Sequence, residues 1–439
     1  MKTDKDHLKD LNPPQREAAL HMQGPLLIVA GAGAGKTKTV THRILNLIKN
    51  GIPPEKILAV TFTNKAAKEM RERVRGAILH LGSLGRSDGD GQRKFSAENF
   101  RADEMQSREP FVSTFHSLGV HIIKENARAL GHTKYFTILD ESDAKTLIKE
   151  TLKELELDPK QYDPKRIRGV ISREKGRFTH LEEFVGEGTW GGIIARVWHL
   201  YEKRKMKENA LDFDDLLLKA TKLLKENEAV RKVYQERWEY IHIDEYQDTN
   251  EVQYLMSKLL CGDNKNICAV GDADQNIYSW RGANLKNILG FEKDYPDAKI
   301  IMLEENYRST QNILEAANEI IKKNKYRPDR NLFTKKGVGE KIGLYEALDE
   351  TDEAEFVATK VLELADTPSN SPKGGEKKYT SLSFGEGWGE VAILYRANFQ
   401  SRALEDAMLR YNITYQVLGV KFLERKEIKD TLANLRAAL

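Results

Sequence analysis

Short apolar, β-branched runs recur along the chain, each closing on polar or glycine-rich residues and each followed by apolar positions at helical spacing. The runs are Leu26–Ala30, Ile57–Phe62, Phe111–Thr114, Tyr240–Ile243, Ile267–Val270, Ile300–Leu303 and Val391–Tyr395, and their length and boundaries predict strands. Strand followed by helix, repeated, predicts an α/β fold built on a parallel sheet. Between Phe115 and about Leu211 the rhythm stops, and helical stretches are punctuated by Pro159, Pro164 and Gly176. An inserted, mainly helical domain is expected there. Residues 83–108 and 366–390 lack apolar periodicity, the second holding five Gly, two Pro and four Ser; both read as disordered surface insertions. The expected division is a first sheet domain in two parts, 1–114 and 212–287, the helical insert at 115–211, and a partial second α/β domain at 288–439.

Composition narrows this only a little. The chain has 439 residues and 40% apolar content, enough for more than one buried core. Lys and Arg number 70 against 67 Asp and Glu, so a polyanionic partner must be met by a local patch rather than an overall field. The polar opening Met1–His7 is unlike a signal peptide, and no window approaches ~18 uninterrupted apolar residues; a cytoplasmic protein without a membrane span is expected. Cys261 and Cys268 are the only cysteines, without Cys-x-x-Cys spacing, and are expected to pack in the core.

The chemistry begins after the first strand. Ala30-Gly-Ala-Gly-Ala-Gly35-Lys36-Thr37 joins a buried strand to a helix starting at Lys38. Small residues at Ala32, Gly33, Ala34 and Gly35 let backbone N–H groups wrap a phosphate, and the helix N-terminus adds its positive dipole end. In such a loop Lys36 reaches the β/γ-phosphates and the Thr37 hydroxyl ligates Mg²⁺. Ala30 stands where the pattern usually has its first glycine. Far downstream, Glu239-Tyr-Ile-His-Ile-Asp244-Glu245 puts two acids at the end of an apolar strand, the ligand-binding edge of a parallel sheet. Asp244 is expected to hold Mg²⁺ and Glu245 to polarise the attacking water. His242, mid-strand, is expected to be a core histidine.

Further blocks follow in order: Leu11-Asn-Pro-Pro-Gln15, Thr61-Phe-Thr-Asn-Lys-Ala-Ala, Thr114-Phe-His-Ser, Asp244-Glu-Tyr-Gln-Asp-Thr-Asn, Val270-Gly-Asp-Ala-Asp-Gln-Asn-Ile-Tyr-Ser-Trp-Arg-Gly-Ala283 and Glu305-Asn-Tyr-Arg-Ser309. In this series the chain resembles the UvrD/Rep/PcrA branch of superfamily 1 DNA helicases. The resemblance implies a P-loop, RecA-like motor domain with a helical insert and a partial second RecA-like domain. It implies an ATP-dependent, 3′-to-5′ helicase acting on single-stranded DNA and single/double-strand junctions. It further implies that Gln15 reads the adenine edge, Tyr307 stacks on the base, Gln275 senses the γ-phosphate, and Arg308 serves as an arginine finger across a domain cleft. Lys38 stands where an arginine commonly helps hold nucleotide, keeping charge but not the planar fork.

The strand-facing candidates make sense from their chemistry. Phe62, Tyr278 and Trp280 are aromatics at strand ends or in polar loops, suited to stacking on bases without sequence preference. Thr61, Thr63, Asn64, His116 and Arg281 can supply phosphate or sugar hydrogen bonds. Basic stretches at 160–180 and 320–336, each with seven Lys/Arg, could extend the track. The two blocks that close the second motor domain of the resembled family are missing before Leu439, so a truncated product is expected, a monomer or weak dimer. Two other functions fit the same residues: nucleotide-gated attachment to single-stranded DNA with little turnover, and the motor part of a helicase-nuclease.

Overall fold

A computed structural model describes residues 7–84, 109–324, 332–366 and 391–417. The expected insertions at 83–108 and 366–390 fall almost wholly outside them. The described residues divide into two compact units, one ending at Lys341 and the other beginning at Ile342.

The first unit is built on a six-stranded sheet of β1 (Leu26–Ala30), β2 (Ile57–Thr61), β3 (Phe111–Thr114), β6 (Tyr240–Ile243), β7 (Ile267–Gly271) and β8 (Lys299–Leu303). Its order is β3-β2-β6-β7-β1-β8, and every pairing is parallel. The central strands are buried on both faces, which explains why they read as continuous apolar runs. Alternation sorts them: Leu27, Val29, Leu58, Val60, Ile241 and Ile243 face one core, while Leu26, Ile28, Ile57, Ala59, Cys268 and Val270 face the other. Strand β8, expected in the following domain, pairs with β1 from Leu26↔Lys299 to Ala30↔Leu303. That register carries residues 304–309 to the mouth of the phosphate loop.

Helices form where local caps and apolar stripes agree. Asn12 opens Pro13–Leu20 with a reciprocal capping box to Gln15, and Asn250 opens Glu251–Leu260 in the same way with Gln253. Helix Phe115–Glu125 packs through Leu118, Ile122 and Ile123 into the sheet core, alongside Leu216, Leu217 and Leu224 of Phe213–Glu226. The insert has its own core, made by Ile148, Leu152, Ile167, Ile171, Val197, Trp198 and Tyr201. Two three-residue strands, β4 (Thr137–Leu139) and β5 (Ala210–Asp212), pair in parallel on either side of the segment that carries this separate core.

The second unit is small. Helix Glu350–Asp366 meets Ser401–Arg410 through Ala354, Ala358, Ala407 and Met408. Val391–Tyr395, expected to be a strand, is irregular, with Leu394 94% exposed. A strand is stable only with a neighbour to satisfy its backbone, and no strand lies beside it among the described residues of this unit.

Candidate functional site

The loop between β1 and helix Lys36–Lys49 turns on two left-handed glycines, Gly33 (φ 69°) and Gly35 (φ 83°). A side chain at either is strained by that backbone, and at either it would displace a neighbour that braces the loop. A Cβ at Gly33 would lie 2.6 Å from Asn306 Nδ2 and 2.7 Å from Arg308 Cβ, and one at Gly35 would lie 2.7 Å from Gln15 Nε2. The loop is braced from β8's exit: Asn306 Nδ2 donates to Ala32 O (2.6 Å) and Tyr307 N donates to Gly33 O (2.9 Å). Ala34 is buried. Thr37 lies in the first helical turn, its carbonyl accepting from Thr41 Oγ1 (2.8 Å).

Opposite Lys36 stand the acids. Lys36 Nζ contacts Glu245 Oε2 at 2.9 Å and Gln275 Oε1 at 3.1 Å, so the expected phosphate ligand, the expected base and the expected sensor meet at one ammonium. Glu245 has left-handed backbone (φ 53°), a conformation that is costly for a side-chain-bearing residue and that collects at functional sites. Asp244, at the C-terminal end of β6, is buried and accepts from Glu245 N (3.0 Å). Burial, reinforced by the neighbouring Glu245 charge, raises its carboxyl to about pKa 6. A buried carboxylate at the end of β6 and a threonine hydroxyl in the first turn after the phosphate loop are both hard-oxygen donors, the type that suits Mg²⁺.

The nucleotide-edge candidates are differently disposed. Gln15 is 1% exposed; its Nε2 donates to Ala34 O (2.9 Å) and its Oε1 accepts from Asn12 N (3.2 Å). It therefore braces the loop from beneath. Tyr307 is exposed, its hydroxyl accepting from Asn12 Nδ2 (2.8 Å). Lys38 Nζ donates to Asp10 O (2.6 Å). Arg308, expected across a cleft, lies in the same compact unit as the phosphate loop, with its main chain fixed by Asn306 Oδ1 (2.8 Å).

From Gln275 the chain passes within three residues to the aromatic group. Phe62 and Tyr278 lie near-parallel at 6.3 Å between ring centroids, and Tyr278 meets Trp280 at 6.5 Å. Trp280 is 73% exposed, a large apolar surface that a buried-core role does not explain. Thr61 is buried with its hydroxyl donating to Thr63 O (3.2 Å), and Thr63 caps the next helix through Ala66 N (3.1 Å). Asn64 begins that helix and is exposed. His116 is half-buried, and burial lowers its pKa. Arg281 lies on the turn Ser279–Arg281; its side chain is outside the described residues.

Against known sequences, the UvrD/REP helicase N-terminal domain matches residues 11–296, and the UvrD-like helicase C-terminal domain matches 301–439. The chain belongs to the UvrD/REP helicase family. Its curated relatives include ATP-dependent DNA helicase PcrA of Bacillus subtilis (strain 168), 44% identical over 98% of this chain and 53% of the relative. PcrA proteins of Staphylococcus epidermidis (RP62A) and Staphylococcus aureus (Mu50) are 43% and 42% identical, each over 98% of this chain and 54% of theirs. The chain thus spans about half the length of these family members.

Two features of this UvrD/REP chain escaped the sequence reading. Phe213, 51% exposed, meets His116 edge-on at 5.7 Å; it hides in an amphipathic helix start, where an aromatic reads as core. The second is a buried charge cluster. Lys175 Nζ lies 2.8 Å from Glu202, 2.8 Å from Asp212 and 2.7 Å from Asp215. Lys205 Nζ lies 2.9 Å from both Glu202 and Asp212 and also contacts Asp215. The three carboxylates are close enough to resemble a cation site, and the two ammonium groups take that place. Lys175 was expected among the basic residues of a nucleic-acid track; at 1% exposure it is unavailable. Of its neighbours, Arg168 pairs with Glu141 (2.9 Å) and Arg166 covers the Trp190 ring (4.9 Å). Residues 325–331 of the other basic stretch lie outside the described residues. No helix among the described residues is long and apolar enough to cross a membrane.

Proposed function

We propose that this chain is the nucleotide-hydrolysing part of an ATP-driven DNA helicase, stepping 3′ to 5′ on single-stranded DNA and opening duplex at junctions. The observation that carries the reading is the continuity of one short segment. Gln275 touches the phosphate-loop lysine, and Tyr278, three residues on, stacks against Phe62. A change at the phosphates therefore has a covalent path of a few residues to the aromatic platform.

In this reading Lys36, freed from Glu245, engages the terminal phosphates, and the released carboxylate orients the attacking water. Thr37 and Asp244 would hold Mg²⁺, which supplies charge neutralisation to the phosphate oxygens. Gln275 follows Lys36 from one contact to the other. Arg308 adds positive charge from the β8 side, and Tyr307 offers its exposed ring to the base. Phe62, Tyr278, Trp280 and Phe213 take successive bases, with Thr63, Asn64 and His116 available to the DNA backbone and Arg281 assigned there by its sequence position alone. The PcrA relatives are described as ATP-dependent DNA helicases, which supports both the nucleotide and the polymer.

The test is ATP turnover by the chain with and without single-stranded oligothymidylate, followed by strand separation on duplexes carrying a 3′ or a 5′ tail. Stimulated turnover with opening of the 3′-tailed duplex is the expected result. Turnover indifferent to oligonucleotide refutes the coupling, and opening of the 5′-tailed duplex alone refutes the polarity. Little turnover with nucleotide-dependent oligonucleotide binding would leave a gated binding module instead.

A further inference from the structure

Gln247 has no part in the chemistry so far, yet the residue is 1% exposed and its carboxamide lies between Glu245 and the segment bearing the aromatics. Its Nε2 donates to Glu245 Oε2 at 2.8 Å and to Asp248 Oδ2 at 3.3 Å. Its Oε1 accepts from Asp272 N at 2.9 Å, and its main-chain carbonyl accepts from Asn276 Nδ2. These partners fix which end is which, because a carboxylate can only accept and an amide N–H can only donate. One planar group thus holds the Glu245 carboxylate at one end and the start of the 272–281 segment at the other. Displacing the segment rotates or breaks the contact to Glu245.

The surroundings are shaped to this group. Gly271, at the end of β7, approaches so closely that an added Cβ would lie 2.6 Å from Gln247 Oε1 and 3.3 Å from Gln247 N. Here the glycine serves proximity. Asp248 is buried, and burial together with the Glu245 charge raises its carboxyl to about pKa 6. The Gln247 amide therefore touches two neighbouring acids, of which only Glu245 also meets Lys36.

We propose that Gln247 is a positioning residue that couples oligonucleotide occupancy of the aromatic platform to the orientation of Glu245. The proposal rests on the helicase reading above and deepens it, since it names the group through which DNA regulates hydrolysis. A purely structural glutamine would affect stimulated and unstimulated turnover alike; a coupling group changes their ratio.

The experiment measures ATP turnover of the full chain with and without oligothymidylate, for the wild-type protein, Gln247→Leu and Gly271→Ala. Leucine keeps the volume and removes every side-chain hydrogen bond, whereas alanine at 271 displaces the carboxamide without deleting it. Both variants are expected to lower the ratio of stimulated to unstimulated turnover about tenfold, the scale of an ordinary coupling between sites. The KM for ATP and the oligonucleotide affinity measured without nucleotide should stay within about twofold, because neither ligand is expected to touch this side chain. A wild-type ratio in a folded variant overturns the proposal, even if both rates fall together. If Gln247→Leu does not fold, the ratio in Gly271→Ala decides by the same criterion. A wild-type chain that oligonucleotide does not stimulate overturns the helicase reading and this inference with it, whereas stimulation retained in the variants overturns the inference alone.

Discussion

Replacing Lys205 by methionine removes one of two ammonium groups from the buried cluster that ties the helical insert to the sheet. Lys175 comes from helix Pro164–Gly176, Lys205 and Glu202 from Gly188–Lys207, and Asp212 and Asp215 from the β5 turn into Phe213–Glu226. In the native cluster two cations face three carboxylates, and Tyr201 adds a hydroxyl donated to Asp212 Oδ2 (3.0 Å). Lys175 and Lys205 depress the Asp212 carboxyl, and Glu202 is lowered to about pKa 2. Without Lys205, three carboxylates, two of them buried and Glu202 half-buried, share one cation. Breaking a buried pair in this way costs ~3–5 kcal/mol, against ~0–1 kcal/mol for an exposed pair. The assay is native-state hydrogen exchange, which reads local opening free energies; the loss should appear in the amides of 164–176 and 188–207 before the sheet strands. The sign of the pH response is a second check. The native depressed carboxyls contribute stability above their ordinary pKa that is lost as pH falls through the folded values. In the variant one carboxyl is raised instead, so its deficit should shrink between pH 7.5 and about 5 as that group takes a proton. Adding Asp215→Asn should recover ~1–3 kcal/mol as the coupling term of a double-mutant cycle. A loss under ~1 kcal/mol, the range of a surface pair, would refute the claim that the cluster clamps the insert.

Other perturbations probe the site and the sheet. Lys36→Ala should abolish nucleotide binding in a fluorescent-nucleotide titration, while Glu245→Gln should preserve binding and slow single-turnover hydrolysis ~10²–10⁴-fold, the contribution of a positioned base; turnover retained in Glu245→Gln would exclude it as the base. Trp280→Ala and Phe213→Ala should each weaken oligothymidylate binding by ~1–3 kcal/mol with unstimulated hydrolysis unaffected, and unchanged anisotropy titrations would remove either ring from the track. His242 is buried beside Arg43, burial being the larger cause, and its pKa falls to about 3. The unfolded chain binds a proton below about pH 6.5 that the folded one refuses, so stability is lost as pH falls from 6.5 towards 3, by up to ~1.4 kcal/mol per unit. His242→Leu should flatten the denaturant midpoint between pH 7 and 5 relative to wild type, and an unchanged slope would assign the acid sensitivity elsewhere.

Six of the expected strands are present; the four central ones are buried throughout and need an unbroken apolar run, which sequence displays directly. Val391–Tyr395 has such a run and no strand, since pairing depends on a neighbour that periodicity does not supply. Membership of β8 in the first sheet is a non-local pairing, 273 positions from Leu26 to its partner Lys299, and no local pattern encodes it. β4 and β5 were missed because three residues are too few to show alternation. The phosphate loop and the acid pair were legible because their chemistry restricts residue type at fixed spacing. Lys175 was misread since a lysine in a basic stretch carries no mark of burial, and its carboxylate partners lie on other elements. Phe213 was passed over for the converse reason, an apolar residue in an apolar pattern that the fold leaves at the surface.

Placing β8 beside β1 gives the chain an economy of tolerances. The glycine turn and the Asn306–Arg308 peptide that leans on it are set by one shared ladder of backbone bonds, so their spacing is fixed to the precision of a strand pair, about 4.8 Å. Slipping that ladder by one residue would invert the faces presented by β8 and leave the turn without its outer wall. A substitution at Ile301, paired with Ile28 and buried in the core beneath the sheet, would then disturb nucleotide handling without altering any residue of the site.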